Sequence, residues 1–183
     1  MKAVFLDRDG TIIVDPPDER VDTEEKIQLF PQTIEALKLL ASLDYGVIII
    51  TNQAGIAEGR ITEADFQRID DKVLEMLQPS GITILKTYVC PHGPDDSCDC
   101  RKPKPTMILQ AAKDFDVELT QSWMIGDNQS DIMAGVNAGT KTVLVKTANK
   151  PVESPEADYT AINLLEAIQY IATGLYKDLH NIY

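Results

Sequence analysis

A chain of 183 residues with 44% hydrophobic and 25% charged residues is globular in composition and long enough for one domain with a single sizeable core. Its formal net charge of −12 argues against nucleic acid and against anionic membrane as partners, because both are met by basic surfaces. No stretch reaches the roughly 18 apolar residues of a membrane span, and the N-terminus leads straight into a strand pattern rather than a signal peptide; a cytoplasmic location is the expectation.

The first element is a short apolar run, Ala3 to Leu6, read as a buried strand. It stops at Asp7-Arg8-Asp9-Gly10-Thr11, two carboxylates one residue apart followed by turn residues. A long polar loop, Asp15 to Lys26, comes next, and long loops are more often functional than idle. Pro31 suits the first turn of a helix carrying Ile34, Leu37, Leu40, Ala41 and Leu43 at helical spacing, ended by Gly46. Val47-Ile48-Ile49-Ile50 has no alternation and reads as a strand buried on both faces, with Thr51-Asn52-Gln53 at its end. Thr62 and Asp65 form a capping box for a helix whose inner face is Phe66, Ile69, Val73, Met76 and Leu77.

Ile82 to Val89 reads as a third strand, which runs into a loop holding Cys90, His92, Cys98 and Cys100 and then Arg101-Lys102-Pro103. Thr106 is expected to cap a helix reaching about Phe115. Trp123-Met124-Ile125 forms a fourth strand leading into Gly126-Asp127, and Thr142 to Val145 a fifth. A proline-bearing linker, Pro151 to Pro155, precedes a last amphipathic helix near Ala161 to Ile171. Strands alternating with helices make an α/β doubly wound parallel sheet, with a core over about residues 1–147 and a C-terminal linker and helix over 148–183 in the same domain.

Three polar clusters share one address. Asp7 with Asp9, Thr51 with Asn52, and Asp127 all sit where an apolar strand ends, and in a parallel sheet those ends lie along one edge, where ligands bind. Asp7, nearest its strand, is the candidate nucleophile toward phosphorus, and Asp9 the candidate general acid and base. Asp127 adds a third acid and makes a magnesium site, or else serves as a helix cap; Asp131 reads as a cap or as support for the site rather than a ligand. Thr51 and Asn52 offer a hydroxyl and an amide to a phosphoryl group, and the following Gln53 and Ala54 offer backbone N–H groups. Arg101 and Lys102 supply the cations of an electrostatic clamp, although basic residues beside prolines are usually just solvated loop.

Three thiols and one imidazole within eleven residues, Cys90, His92, Cys98 and Cys100, match a closed tetrahedral zinc site better than a free-thiol loop or a Cys90–Cys98 disulfide, neither of which uses His92. Such a metal would fix the loop from which Arg101 and Lys102 emerge.

In this order Asp7-Arg8-Asp9-Gly10-Thr11, Thr51-Asn52-Gln53, Arg101-Lys102-Pro103 and Gly126-Asp127 resemble the four motifs of the haloacid dehalogenase-like phosphatases. The cysteine loop resembles that of the branch holding the D-glycero-D-manno-heptose 1,7-bisphosphate 7-phosphatases and the histidinol-phosphate phosphatases. The resemblance covers about residues 3–147. It implies a capless fold and an aspartyl-phosphate on Asp7, with Asp9 as acid and base. Magnesium would be held by the side chains of Asp7 and Asp127 and the backbone carbonyl of Asp9. Thr51, Arg101 and Lys102 would steady the phosphoryl group, and Cys90, His92, Cys98 and Cys100 would hold zinc.

Gln53 to Gly59 is similar to the heptose enzymes, though Glu58 stands where they usually carry Arg. The short gap between His92 and Cys98 is similar to the histidinol-phosphate enzymes, and Asn128 replaces a Lys found in many heptose enzymes. The expectation is a monomeric heptose-bisphosphate 7-phosphatase acting on a small phosphorylated metabolite, with histidinol phosphate as the alternative substrate. A non-catalytic, zinc-stabilised sugar-phosphate-binding module is the rival of a different class, opposed by the intact Asp7/Asp9 pair.

Overall fold

The computed structural model of the protein describes residues 1–18, 21–147 and 151–180, with side chains to residue 174. Parts of the expected loop Asp15 to Lys26 and of the 148–183 segment therefore lie outside the described residues. In chain order the elements are β1 (Ala3–Leu6), α1 (Thr33–Ala41), β2 (Gly46–Asn52), α2 (Ala54–Ala57), α3 (Glu63–Leu77), β3 (Ile84–Cys90), α4 (Thr106–Phe115), β4 (Trp123–Gly126), α5 (Gln129–Ala138), β5 (Lys141–Val145), β6 (Tyr159–Ala161) and α6 (Leu164–His180).

The strands form one parallel sheet in the order β3-β2-β1-β4-β5-β6. Side chains alternate across it, as the pleat requires. Val4 and Leu6 of β1, Val47 and Ile49 of β2, and Ile125 of β4 pack with Leu37 of α1, Ile69 of α3 and Ile168 of α6. Their neighbours Ala3, Phe5, Ile48, Ile50 and Met124 pack with Ile108 of α4 and Ala134 of α5 on the other face. Both faces are covered, which is why these strands read as continuous apolar runs. α1 fills the connection from β1 to β2, and α2 with α3 that from β2 to β3, as a capless fold requires.

Four expectations change in detail. The third strand begins at Ile84, not Ile82. Thr106 is the first helical residue of α4 rather than its cap: Pro105 occupies that position and no side chain closes the end. Ala161 belongs to a sixth strand, where Val143, Leu144 and Val145 pair with Tyr159, Thr160 and Ala161, and the last helix starts only at Leu164. Met76 is half-buried on α3, and the buried polar residue of that helix is Asp70. The capping box of Thr62 and Asp65 is present, with both reciprocal hydrogen bonds.

β1 and β4 are hydrogen-bonded neighbours, yet β1 continues in sequence to β2 on one side while β4 continues to β5 on the other. This is the topological switch point of the sheet, and the carboxyl ends of β1 and β4 open the crevice where ligands enter such folds.

Candidate active site

Asp7 leaves β1 at that crevice, its N–H donating to the Ile125 carbonyl of β4 at 2.9 Å. Asp127 leaves β4 directly beside it. The carboxylates of Asp7, Asp127 and Asp131 come together, with oxygens within 4.8 Å of one another and all three residues buried. Two glycines permit the approach. Gly10 has φ +79°, and a Cβ there would lie 2.3 Å from Asp127 Oδ2; a Cβ on Gly126 would lie 2.3 Å from the Asp131 side chain.

Helix α5 explains why Asp127 is free for this work. The cap of that helix is Asn128, whose side chain accepts from Ser130 N–H, while Asp131 accepts from Asn128 N–H in return. Asp131 thus caps the helix as expected, and also does more: Lys102 Nζ lies 2.6 Å from its Oδ1 and 2.7 Å from Asp7 Oδ1.

Lys102 is buried at 4% exposure and donates a third bond, at 2.8 Å, to the Ile50 carbonyl at the end of β2. Its position is fixed by Asn52. The Asn52 side chain accepts from Lys102 N–H at 3.1 Å and donates to the Lys102 carbonyl at 3.3 Å. Each half of that amide thus makes one bond to the lysine backbone, so Asn52 positions Lys102 and keeps a second N–H on the cleft. Likewise the Gln53 N–H, expected to face substrate, donates to the Cys90 carbonyl at 2.8 Å.

The charges do not balance within the protein. Three carboxylates against one ammonium leave two negative charges in excess, the charge of one divalent cation. Without a cation the surplus appears in the titrations. Burial, followed by the Asp131 charge, pushes Asp7 up to about 7 against the pull of Lys102. Burial, with Asp7, Asp131 and Asp15 adding to it, pushes Asp127 up to about 9. Burial alone would depress Lys102, but Asp131 and Asp7 hold its ammonium above the usual value. An all-oxygen donor set with this excess charge fits a hard cation such as magnesium.

Asp9 points away from that cluster. Its Oδ2 accepts from Gln53 Nε2 at 2.6 Å, and both its oxygens face Arg8 Nη2, at 3.2 and 3.0 Å. Gln53 Nε2 also donates to Thr51 Oγ1 at 2.9 Å, so the side chain of Gln53 links the two expected site residues. Asp9, Thr51, Arg101, Lys102, Asp127 and Asp15 share the lining of one cleft of about 180 Å³. An adjoining hollow of about 190 Å³ also touches Asp9 and Asn52 and is lined by Gln53, Ala54, Arg60 and the loop residues Val21 and Asp22. The sequence marks the Asp15–Lys26 loop as functional and Gln53 for its backbone N–H; that Asp15 itself lines the cleft, and that Gln53 takes part through its side chain, is visible only in the fold. A larger cavity, about 610 Å³, opens between Met1, Tyr45 and Gln121 at the opposite ends of the strands and holds none of these residues.

The second cluster borders the first. Cys90 at the end of β3, His92, Cys98 and Cys100 place their sulfurs and a ring nitrogen within 4.8 Å of one another. The Cys90 and Cys98 sulfurs are 3.8 Å apart, and His92 Nδ1 is 3.2 Å from the Cys100 sulfur. Zinc–sulfur bonds near 2.3 Å give a tetrahedral S···S edge of about 3.8 Å, which the Cys90–Cys98 pair matches, whereas the Cys90 and Cys100 sulfurs stand closer, at 2.7 Å; the four donors are gathered as a zinc ion would need, with the Cys100 side having to open to seat it. All three cysteines are free, and burial pushes the Cys90 thiol up to about 12 without a metal. Arg101 follows directly; its Nη1 donates to the His92 carbonyl at 3.0 Å, while Ala57 N–H donates to the Pro91 carbonyl. The loop is bound to α2 at Pro91 and closed on itself by Arg101.

A family model described as HAD-hydrolase-like matches residues 99–167. A D-glycero-beta-D-manno-heptose-1,7-bisphosphate 7-phosphatase of Helicobacter pylori is 41% identical over 171 residues, covering 93% of this chain and 97% of the relative. A phosphatase named for the alpha form of the same bisphosphate, from Photorhabdus laumondii, is 40% identical over 175 residues, covering 90% and 93%. The crystal structure of a D,D-heptose 1,7-bisphosphate phosphatase from B. bronchiseptica, complexed with magnesium and phosphate, superposes with a TM-score of 0.86 at 31% identity, covering 95% of this chain and 99% of that one. The chain belongs to the haloacid dehalogenase-like hydrolases, within the family of these heptose-bisphosphate phosphatases.

Proposed function

We propose that this protein is a magnesium-dependent phosphomonoesterase that removes the 7-phosphate of D-glycero-D-manno-heptose 1,7-bisphosphate and carries a structural zinc. The observation that carries the reading is the convergence of Asp7, Asp127, Asp131 and Lys102 at the switch point of the sheet, with Asp9 on the same cleft. The names of relatives matched over nearly their whole length support the substrate. Relatives named for the beta and for the alpha anomer match this chain almost equally.

In the reaction, an Asp7 oxygen attacks phosphorus as the bond to the sugar oxygen breaks. Asp9 gives that oxygen its proton, and the product is an aspartyl-phosphate with a free sugar hydroxyl. Asp9, now a carboxylate, takes a proton from water, whose oxygen displaces Asp7 from phosphorus and releases phosphate. Lys102 fixes the Asp7 carboxylate and offers its charge to the phosphoryl oxygens, while Thr51 and Arg101 lie on the cleft wall to steady them. Magnesium, held by Asp7, Asp127 and the backbone carbonyl of Asp9, would neutralise the surplus acid charge and polarise the phosphoryl group when bound. The hollow lined by Gln53, Arg60 and Asp22 takes the remainder of the substrate. Zinc at Cys90, His92, Cys98 and Cys100 would supply no reacting group, only a fixed base for Arg101 and Lys102.

A panel of phosphate esters with magnesium tests the reading. Heptose bisphosphate should exceed histidinol phosphate and other sugar phosphates in kcat/KM by at least about 100-fold, on the order of 3 kcal/mol of discrimination. Comparable weak rates on all of them would remove the substrate assignment.

A further inference from the structure

We infer that Asp70, on α3 and outside the cleft, acts through Arg8 to hold Asp9 in the orientation that meets the leaving oxygen, which makes Asp70 and Arg8 positioning residues of the reaction. This rests on the phosphatase reading above.

Arg8 sits between the two catalytic aspartates in sequence, but its side chain turns the other way, into the protein, with no exposed surface. Nη2 faces both oxygens of Asp9 at 3.2 and 3.0 Å. Nη1 lies 3.7 Å from Asp70 Oδ1, and the guanidinium carbon is 5.2 Å from the centre of the Phe66 ring. Phe66 and Asp70 are one helical turn apart on α3, so a single face of that helix presents both a ring and a carboxylate to the guanidinium.

Stability does not explain this arrangement. Asp70 is 3% exposed, and Arg8 Nε, Arg8 Nη1 and Asp70 Oδ1 have no hydrogen-bond partner in the protein. A buried ion pair with donors left over is, for folding, no better than apolar side chains of the same volume. What the arrangement does achieve is directional. A planar guanidinium packed between a ring and a carboxylate is confined in direction, and it presents Nη2 to Asp9 from the buried side. Gln53 Nε2 contacts the same carboxylate from the cleft, at 2.6 Å. Asp9 is thereby aimed from both sides, and its side chain keeps 24% exposure.

The test uses the difference between leaving groups. A sugar alkoxide leaves only if Asp9 protonates it as the bond to phosphorus breaks, whereas p-nitrophenolate leaves without a proton. kcat/KM reports the steps up to formation of the aspartyl-phosphate, so later hydrolysis does not blur the comparison. In Asp70→Asn the ratio of kcat/KM for the sugar phosphate to that for p-nitrophenyl phosphate should fall at least about 10-fold. The double variant Arg8→Met, Asp70→Leu removes both charges without stranding either; it should show the same fall and carries the test should Asp70→Asn fail to fold. Folded variants that keep the wild-type ratio, whether both rates fall together or neither does, overturn the inference and leave the phosphatase reading standing. A wild-type protein that hydrolyses neither ester overturns that reading, and the inference with it.

Discussion

The two ligand-rich clusters of this molecule lie on the same side of the sheet and obey opposite rules. The carboxylate cluster draws its members from residues far apart in sequence: Asp7 after β1, Asp127 after β4, Asp131 in α5, with Lys102 between them. The thiol and imidazole cluster is local, Cys90 to Cys100, within one loop. The first is hard, over-charged and open to a cleft, which suits a cation that shares its ligands with substrate. The second has four soft or borderline donors at tetrahedral spacing and leaves no position for a reactant. The cluster proposed for chemistry is assembled by the fold, whereas the one proposed to stabilise a loop is written into the loop.

Substitutions should separate these roles. Asp7→Asn removes the nucleophile while keeping the volume and the Lys102 contact, so kcat should fall by at least about 10⁴-fold with the thermal melt unchanged or slightly raised. Retained turnover would break the assignment of the carboxylate cluster to chemistry. Cys100→Ser should act less steeply and by another route. Elemental analysis should find zinc falling from one to well under one per chain, and kcat/KM should drop about 10- to 100-fold as the base under Arg101 and Lys102 loosens. Loss of zinc with full activity would disconnect the two clusters.

Much of the comparison is legible in the sequence, and the parts that are not have physical reasons. Asp7, Asp9 and Asp127 are readable because each closes an apolar strand, and strand ends in parallel sheets converge. The thiol and imidazole cluster is readable because its members are neighbours in the chain. Asp131 reads correctly as a cap, but a capping carboxylate has a second oxygen, and only the fold shows it 2.6 Å from Lys102. Asn52 reads as a phosphoryl ligand because amides at strand ends often are; here the cation loop arrives fifty residues later in the chain and takes both halves of it. The sixth strand is three residues long on the sheet edge, too short for any period to register, and its Ala161 blends into the helical pattern that follows.

A smaller effect sharpens the role of Asn52. Asn52→Ala leaves the Lys102 N–H and carbonyl without their partners, and kcat/KM should fall about 10-fold, with KM for magnesium nearly unchanged. An Asn52→Ala variant that loses affinity for phosphate alone would return Asn52 to the substrate-contact role.

The smallest effect is thermodynamic. Folding raises the Asp7 and Asp127 carboxyls from 3.8 to about 7 and about 9 in the metal-free protein. A raised carboxyl binds its proton more tightly folded than unfolded. Its contribution to stability is therefore fully present below about pH 4 and is lost progressively as pH rises from there through the folded values, the loss being complete by about pH 7 for Asp7 and about pH 9 for Asp127. Magnesium, by neutralising the ionised forms, should raise Tm by about 3–5 °C at pH 8.5 and by less than about 1 °C at pH 5. Equal shifts at both pH values would mean that the cation binds elsewhere.

The central claim is that Asp7 becomes phosphorylated, and the most direct measurement is peptide mass spectrometry of protein quenched in acid during turnover of heptose bisphosphate with magnesium. The expected result is one phosphoryl group on the peptide carrying Asp7, absent from Asp7→Asn. Steady turnover with that peptide unmodified, or with the phosphoryl group on another residue, would contradict it.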